Sequence, residues 1–291
     1  MNRRNLIGVG VAGAAFASSF WLMGGVAAYW NFAALVVVVS GLAAALLLSY
    51  PYPEVRRAVG VARDAYTVRL ASPGEIVATL LDLSVRSKVD GVLSLEKMRE
   101  KTTSAFLRNG LMFLVDNYKE REIRDFMTTE MSFFSLRRQQ SERIFRNMAR
   151  TAPAFGVAGS VIGLIGLLLG INDTAVILES IPVAFLSTLY GVVIGNLMLA
   201  PMAENIHYRT GEELLNQKLI MEGVVAISRE QNPYKLEKKL CSFLSPEERV
   251  GHAEALRGLT RRYLSRKRDQ EREGILPKGL ELREEPVAKV S

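Results

Sequence analysis

Between positions 151 and 203, otherwise apolar sequence carries the hydroxyls of Ser160, Ser187, Thr188 and Tyr190 and the amide of Asn196. In hydrocarbon such groups can line a path or lend oxygens to an ion's shell, because each has a lone pair and a local dipole. They cannot serve as the charge-balancing or titrating group that an intramembrane ion path ordinarily needs. Neither 151–171 nor 181–203 contains an ionisable acid or base. If this chain conducts ions, the carboxylate must come from another chain. The remainder offers no competing chemistry: no phosphate-binding glycine loop, nucleophile elbow or catalytic carboxylate pair stands out. His207 and His252 are far apart and lack ligand spacing, and Cys241 is single. The expectation is a chain with no metal, no cofactor, no disulfide framework and no enzymatic activity.

Two hydrophobic segments position those groups, 151–171 and 181–203, joined by a polar link at 172–180. Each is long enough to cross a bilayer as a helix. The first carries Gly156, Gly159, Gly163, Gly166 and Gly170, whose spacing of three, four, three and four lays bare backbone down one helix face. The second answers with Ala184, Thr188, Gly191 and Gly195. Lipid tails give no hydrophobic reward for helix association, so small residues that permit close approach drive the packing. Pro153 stands near the start of the first segment and Pro201 near the end of the second, with helix-patterned polar sequence continuing past both. In continuous helices each removes a backbone bond and kinks its helix near the same membrane surface. The alternative is that they mark helix ends.

The ordered motifs Ala152-Pro153-Ala154-Phe155-Gly156, Gly159-Ser160-Val161-Ile162-Gly163-Leu164-Ile165, Thr188-Leu189-Tyr190-Gly191 and Pro201-Met202-Ala203 resemble the third and fourth transmembrane segments of the MotA family. These are ion-channel subunits of the bacterial flagellar stator, within the wider MotA/TolQ/ExbB proton channel family. Met221-Glu222-Gly223-Val224, Asn232-Pro233 and Lys239-Leu240 through Leu244-Ser245-Pro246 are similar to the segment that follows, so the agreement covers most of the chain. The resemblance implies a homo-oligomeric ring, a pentamer in the family, around a MotB-like dimer whose single span carries the essential aspartate. It implies that ion passage turns the ring, with Pro153 and Pro201 as the coupled kinks and Ser160 and Thr188 beside the path. The position of Ser160 tends to hold threonine in sodium-driven members and alanine in some proton-driven ones, and Thr188 matches a threonine found in both. Two facing hydroxyls beside a partner carboxylate could supply part of a sodium shell, which favours sodium over proton. A serine bonded only to its own helix is the competing reading.

Composition agrees from its own side. The chain of 291 residues is 49% hydrophobic yet 23% charged, so apolar and charged segments must be segregated, as in a polytopic membrane protein with a soluble part. No charge occurs from 5 to 53, which divides at 23–31 into two helices near 6–23 and 32–50; a cleaved signal peptide is disfavoured because a second span follows at once. Arg3 and Arg4 precede this hairpin and Arg56, Arg57 and Arg63 follow it, whereas 172–180 holds Asp173 and Glu179 but no base. The positive-inside rule puts both termini and the middle segment in the cytoplasm of a bacterial inner-membrane protein. The fold class is therefore all-α: four transmembrane helices and a helical cytoplasmic domain. Its expected divisions are 1–50 and 151–203 for the spans, 51–150 for the domain, 204–255 for a helical extension and 256–291 for a charged, partly disordered tail. Topology explains the net charge of +7 without nucleic acid, though the basic tail could meet anionic lipid.

Within 51–150, Ser72-Pro73-Gly74-Glu75 has the form of a helix start. Arg86-Ser87-Lys88-Val89-Asp90-Gly91-Val92-Leu93-Ser94-Leu95-Glu96 is similar to the MotA region that holds the rotor-facing charges. The resemblance makes Glu96 the glutamate of the torque pair, acting on the rotor protein FliG. Lys88 fills the place of the family's arginine and loses its bidentate fork, with Arg86 nearby as a possible substitute. The alternatives are a TolQ/ExbB-type motor subunit that powers gliding, secretion or outer-membrane transport, and a non-conducting membrane scaffold.

Overall fold

The computed structural model describes residues 3–22, 25–102, 104–229 and 231–244, together with positions 246 and 265. The helix start expected at 245–248 and the charged tail 256–291 fall outside these residues, apart from the two isolated positions. Among the described residues every regular element is helical, as the all-α reading requires. Two compact units form, one from Met1–Val68 with Leu136–Thr210 and the other from Arg69–Ser135 with Gly211–Ser291. Hydropathy divides the chain at 50, 150 and 203, whereas packing groups the 51–68, 136–150 and 204–210 stretches with the apolar helices.

The first unit holds α1 (Arg3–Leu22), α2 (Phe32–Ser49), α3 (Tyr52–Thr67) and α8 (Thr174–Val193), with the adjoining parts of α7 (Glu120–Leu169) and α9 (Ala200–Ser228). Asn31 caps α2 by accepting from the Ala34 N–H at 2.9 Å. α1 meets the hairpin through Phe20, edge-to-face on Tyr29 at 4.9 Å. Ala58, Ala62 and Ala65 line one face of α3 and pack into a core with Leu42, Ile144, Phe145, Ala152, Leu199 and Ile206. Among the described residues, three helices are long and apolar enough to cross a membrane: α2, α7 and the continuous helix Thr174–Ser228. The remaining expected span corresponds to α1, which carries no charged residue after Arg4.

The polar link expected at 172–180 is shorter than its composition suggested. Asp173 accepts from the Ala175 N–H at 2.9 Å and starts α8 at Thr174, so Glu179, Ser180 and even Pro182 are helical.

The second unit contains α4 (Pro73–Asp90), α5 (Glu96–Lys101), α6 (Ala105–Val115), α10 (Pro233–Cys241) and the remaining parts of α7 and α9. The capping box at the start of α4 is complete: Glu75 N–H donates to Ser72 Oγ and Ser72 N–H to Glu75 Oε2. Leu80, Leu83, Leu111, Ile123, Met127, Leu219, Leu236 and Leu240 fill the core, each aliphatic side chain contributing about 1.5–3 kcal/mol by burial. Beside it lies Glu222 of α9, whose side chain is 11% exposed. Arg124 of α7 donates to it at 2.7 Å and Lys239 of α10 at 2.6 Å, so one carboxylate ties three helices. Burial opposes ionisation, but those two donors outweigh it and hold the Glu222 carboxyl at about 2, against an ordinary 4.5.

A depressed folded-state value stabilises above the unfolded value and is lost as pH falls towards the folded one. The chain in detergent should therefore lose melting temperature between about pH 4.5 and pH 2. Glu222→Gln should lower stability at pH 7 by roughly 2 kcal/mol and flatten that acid limb. An unchanged acid limb in the variant would place the sensitivity elsewhere.

Candidate ion pathway and charged surface

The glycine face of α7 meets α8 of the same chain. A methyl added at Gly163 would sit 2.5 Å from Ala184 N and 2.8 Å from its Cα. One at Gly156 would lie 2.8 Å from Ser187 O and 3.2 Å from Gly191 Cα, and one at Gly159 would lie 2.6 Å from Ser187 Cβ. Gly166 faces Ser180 and Gly170 faces Val176. In return Gly191 abuts Ala152 O, and Gly195 abuts both Ala149 O and the Pro153 ring. At Gly156, Gly163, Gly191 and Gly195 the contacts include backbone, which cannot step aside for a side chain, whereas Gly159, Gly166 and Gly170 meet side chains. The alternation of three and four is the sequence form of one continuous backbone seam.

That seam brings Ser160 and Thr188 together, with Oγ and Oγ1 2.5 Å apart. Ser160 also reaches the carbonyl of Ala184 across the seam and, at 3.3 Å, that of Gly156 on its own helix. A hydroxyl has one proton to give. With Ser160 donating to Ala184 O, the contact between the hydroxyls is met by donation from Thr188. Thr188 then keeps two lone pairs and Ser160 keeps one, so the pair presents oxygen acceptors rather than a free proton. The other polar groups sort differently. Ser187 is fully buried and donates to Val183 O at 2.7 Å. The Tyr190 hydroxyl donates to Tyr29 O at 2.5 Å and accepts from Asn31 N–H at 2.8 Å, which fastens the turn between α1 and α2 to α8. Asn196 is exposed.

Both helices run through their prolines. Pro153 lies inside α7, and Pro201 follows a π-helical turn at Ile194–Leu199 within the continuous helix Thr174–Ser228. Pro153 has no N–H, so the carbonyl of Ala149 four residues back loses its helical donor. This freed carbonyl faces Gly195, which belongs to the π turn and presents no side chain to collide with it. The irregular backbone of one helix therefore sits against that of the other, an arrangement favoured where helices deform in function.

Several elements gave no local signal in the sequence. Pro182 is accommodated within α8. Glu142 accepts from Arg146 at 2.7 Å and lies 3.0 Å from His207 Nδ1, linking α7 to α9. Of this group only the four-residue spacing of Glu142 and Arg146 was legible.

In the second unit Gly91, with φ of 81°, ends α4 and turns the chain towards α5. Lys88, exposed in the last turn of α4, and Glu96, exposed at the first position of α5, flank this turn. Arg86 donates to Asp82 at 2.7 Å, so its charge is already paired on its own helix.

Among the described residues, an all-helical fold with several membrane-length segments and a glycine-packed pair that brings hydroxyls together defines the class of polytopic membrane subunits. A family model described as the MotA/TolQ/ExbB proton channel family matches residues 98–218. Motility protein A of Borreliella burgdorferi is 30% identical over 250 residues, covering 86% of this chain and 96% of that one. Chemotaxis protein PomA of Vibrio alginolyticus is 28% identical over 251 residues, covering 86% and 98%. The structure of the flagellar MotAB stator complex from Bacillus subtilis is similar with a TM-score of 0.76 and 29% identity, over 85% of this chain and 98% of that chain. The chain belongs to the MotA/TolQ/ExbB proton channel family.

Gly163→Leu should force α7 and α8 apart and destabilise the full-length protein by about 3 kcal/mol, seen as a lower melting temperature in detergent. Gly60→Ala, on α3 with nothing within 4 Å of the added methyl, should hold or slightly raise it. Equal melting temperatures for Gly163→Leu and wild type would remove the seam as the organising contact.

Proposed function

We propose that the chain is the ion-channel subunit of a flagellar stator, acting with a MotB-like single-span partner that brings the essential aspartate into the membrane. Family membership and the likeness to the Bacillus subtilis MotAB complex support this reading. The observation that carries its mechanism is the Ser160–Thr188 hydroxyl pair, set 2.5 Å apart on a seam without any ionisable side chain. The partner carboxylate supplies the charge and the hydroxyls supply neutral oxygens. Sodium shedding water needs several oxygen ligands, whereas a proton needs only an acceptor and a path. A hydroxyl pair with its protons already engaged favours sodium. Ring copies, five by family resemblance, surround the partner, with both termini in the cytoplasm of the inner membrane. Passage of each ion flexes α7 at Pro153 and the following helix at its π turn and Pro201. The motion reaches rotor protein FliG through Lys88 and Glu96, with Arg86 held by Asp82.

Swimming driven by this chain and its partner should rise with external sodium at fixed pH, and Ser160→Ala should raise the sodium needed for half-maximal speed. Speed that persists without sodium and collapses with a protonophore would reverse the ion assignment. In the same assay Glu96→Lys and Lys88→Glu should each reduce swimming without reducing membrane assembly. Full motility in both variants would make these positions ordinary surface charges.

A further inference from the structure

A cavity of about 540 Å3 opens where α2 ends and the apolar stretch of α7 begins, lined by Ser49, Tyr50, Asn147, Arg150 and Thr151. We propose that it binds the phosphate-bearing headgroup of an anionic phospholipid. Its five lining residues include neither hydroxyl of the Ser160–Thr188 pair, and neither resemblance nor motif pointed to it.

The chemistry of the lining selects an anion. Arg150 supplies the only formal charge among these five side chains, and no carboxylate is present. Asn147 organises the donors: its Oδ1 accepts from Arg150 at 2.8 Å, and its Nδ2 donates to the Tyr50 hydroxyl. The first bond steadies the guanidinium and leaves its other N–H groups for a ligand. The second satisfies a Tyr50 lone pair and leaves the phenolic proton to point elsewhere. Thr151 gives its own proton to Asn147 O at 2.8 Å, so it contributes no donor. A planar guanidinium with a hydroxyl donor beside it matches the oxygens of a phosphate diester.

The position selects a lipid as the source. α2 is apolar along its whole length and α7 is apolar from Thr151 onward, so Tyr50 and Arg150 stand where hydrocarbon gives way to headgroups. Leu47 and Leu48, just before the cavity, are 57% and 89% exposed and offer an apolar surface to an acyl chain. Exposed Arg56 and Arg57 at the start of α3 add a positive field that draws anionic lipid to the same edge.

The test uses the full-length chain in mixed micelles where phosphatidylglycerol progressively replaces phosphatidylcholine, read by melting temperature. Wild type should show a saturable rise. Arg150→Gln should need roughly tenfold more phosphatidylglycerol for half the effect, and Tyr50→Phe about threefold more. Arg143→Gln, which removes the same charge two turns earlier on α7 and outside the cavity, should match wild type. If Arg143→Gln and Arg150→Gln weaken the effect equally, the lipid is held by general surface charge and the site falls. If inorganic phosphate alone gives the full rise, the ligand is a soluble anion and the lipid assignment falls. Should Arg150→Gln fail to fold, Tyr50→Phe and Ser49→Ala decide, and a wild-type response in both overturns the proposal.

Discussion

Backbone contact between α7 and α8 is the constraint on which the first unit depends. With lipid tails as apolar as the side chains, the two helices gain little by hiding hydrophobic surface from one another. What they gain is close contact, and that requires the absence of side chains at Gly156, Gly163, Gly191 and Gly195, where an added methyl would collide with backbone within 3 Å. The same closeness sets Ser160 against Thr188 and the Ala184 carbonyl. Packing and chemistry therefore rest on one seam, and a residue that widened it would separate the hydroxyls as well.

The seam also places the irregular backbone around the prolines of the two helices side by side. A proline leaves a carbonyl without its helical donor, and an unmet carbonyl in hydrocarbon costs several kcal/mol. At Pro153 the freed Ala149 carbonyl lies against Gly195, inside the π turn of the opposing helix. Both helices are thus irregular at the same level, and each can bend there with fewer backbone bonds to break. The irregular backbone therefore lies beside the glycines that keep the two central helices in contact.

Sequence disclosed the features that are local. Glycine spacing, the Ser72 cap and the break near 23–31 each follow from a few neighbouring residues, and α1 and α2 fall within one residue of the expected 6–23 and 32–50 at three of their four ends. The polar link was read too long because Glu179 and Ser180 have loop-like composition, while the cap at Asp173 that decides the boundary is a single side-chain bond. The Tyr190 anchor and the Glu222 network join residues 159 and 98 positions apart, so no window of sequence contains them. Nor could sequence show that Arg86 is paired with Asp82, although their four-residue spacing permits it. The Ser160–Thr188 contact was legible only through family resemblance; its geometry needed the fold.

The apolar stretches 151–171 and 181–203 bring two hydroxyls together but hold no carboxylate or cationic side chain, so conduction requires a partner's charge. Ion uptake into sealed vesicles tests it most directly, comparing this chain alone with the chain co-assembled with a MotB-like partner, under an imposed gradient of sodium or protons. The chain alone should be tight to both ions, the assembled pair should conduct, and replacing the partner's membrane aspartate by asparagine should restore tightness. Conduction by the chain alone, at a rate matching the assembled pair, would contradict the claim.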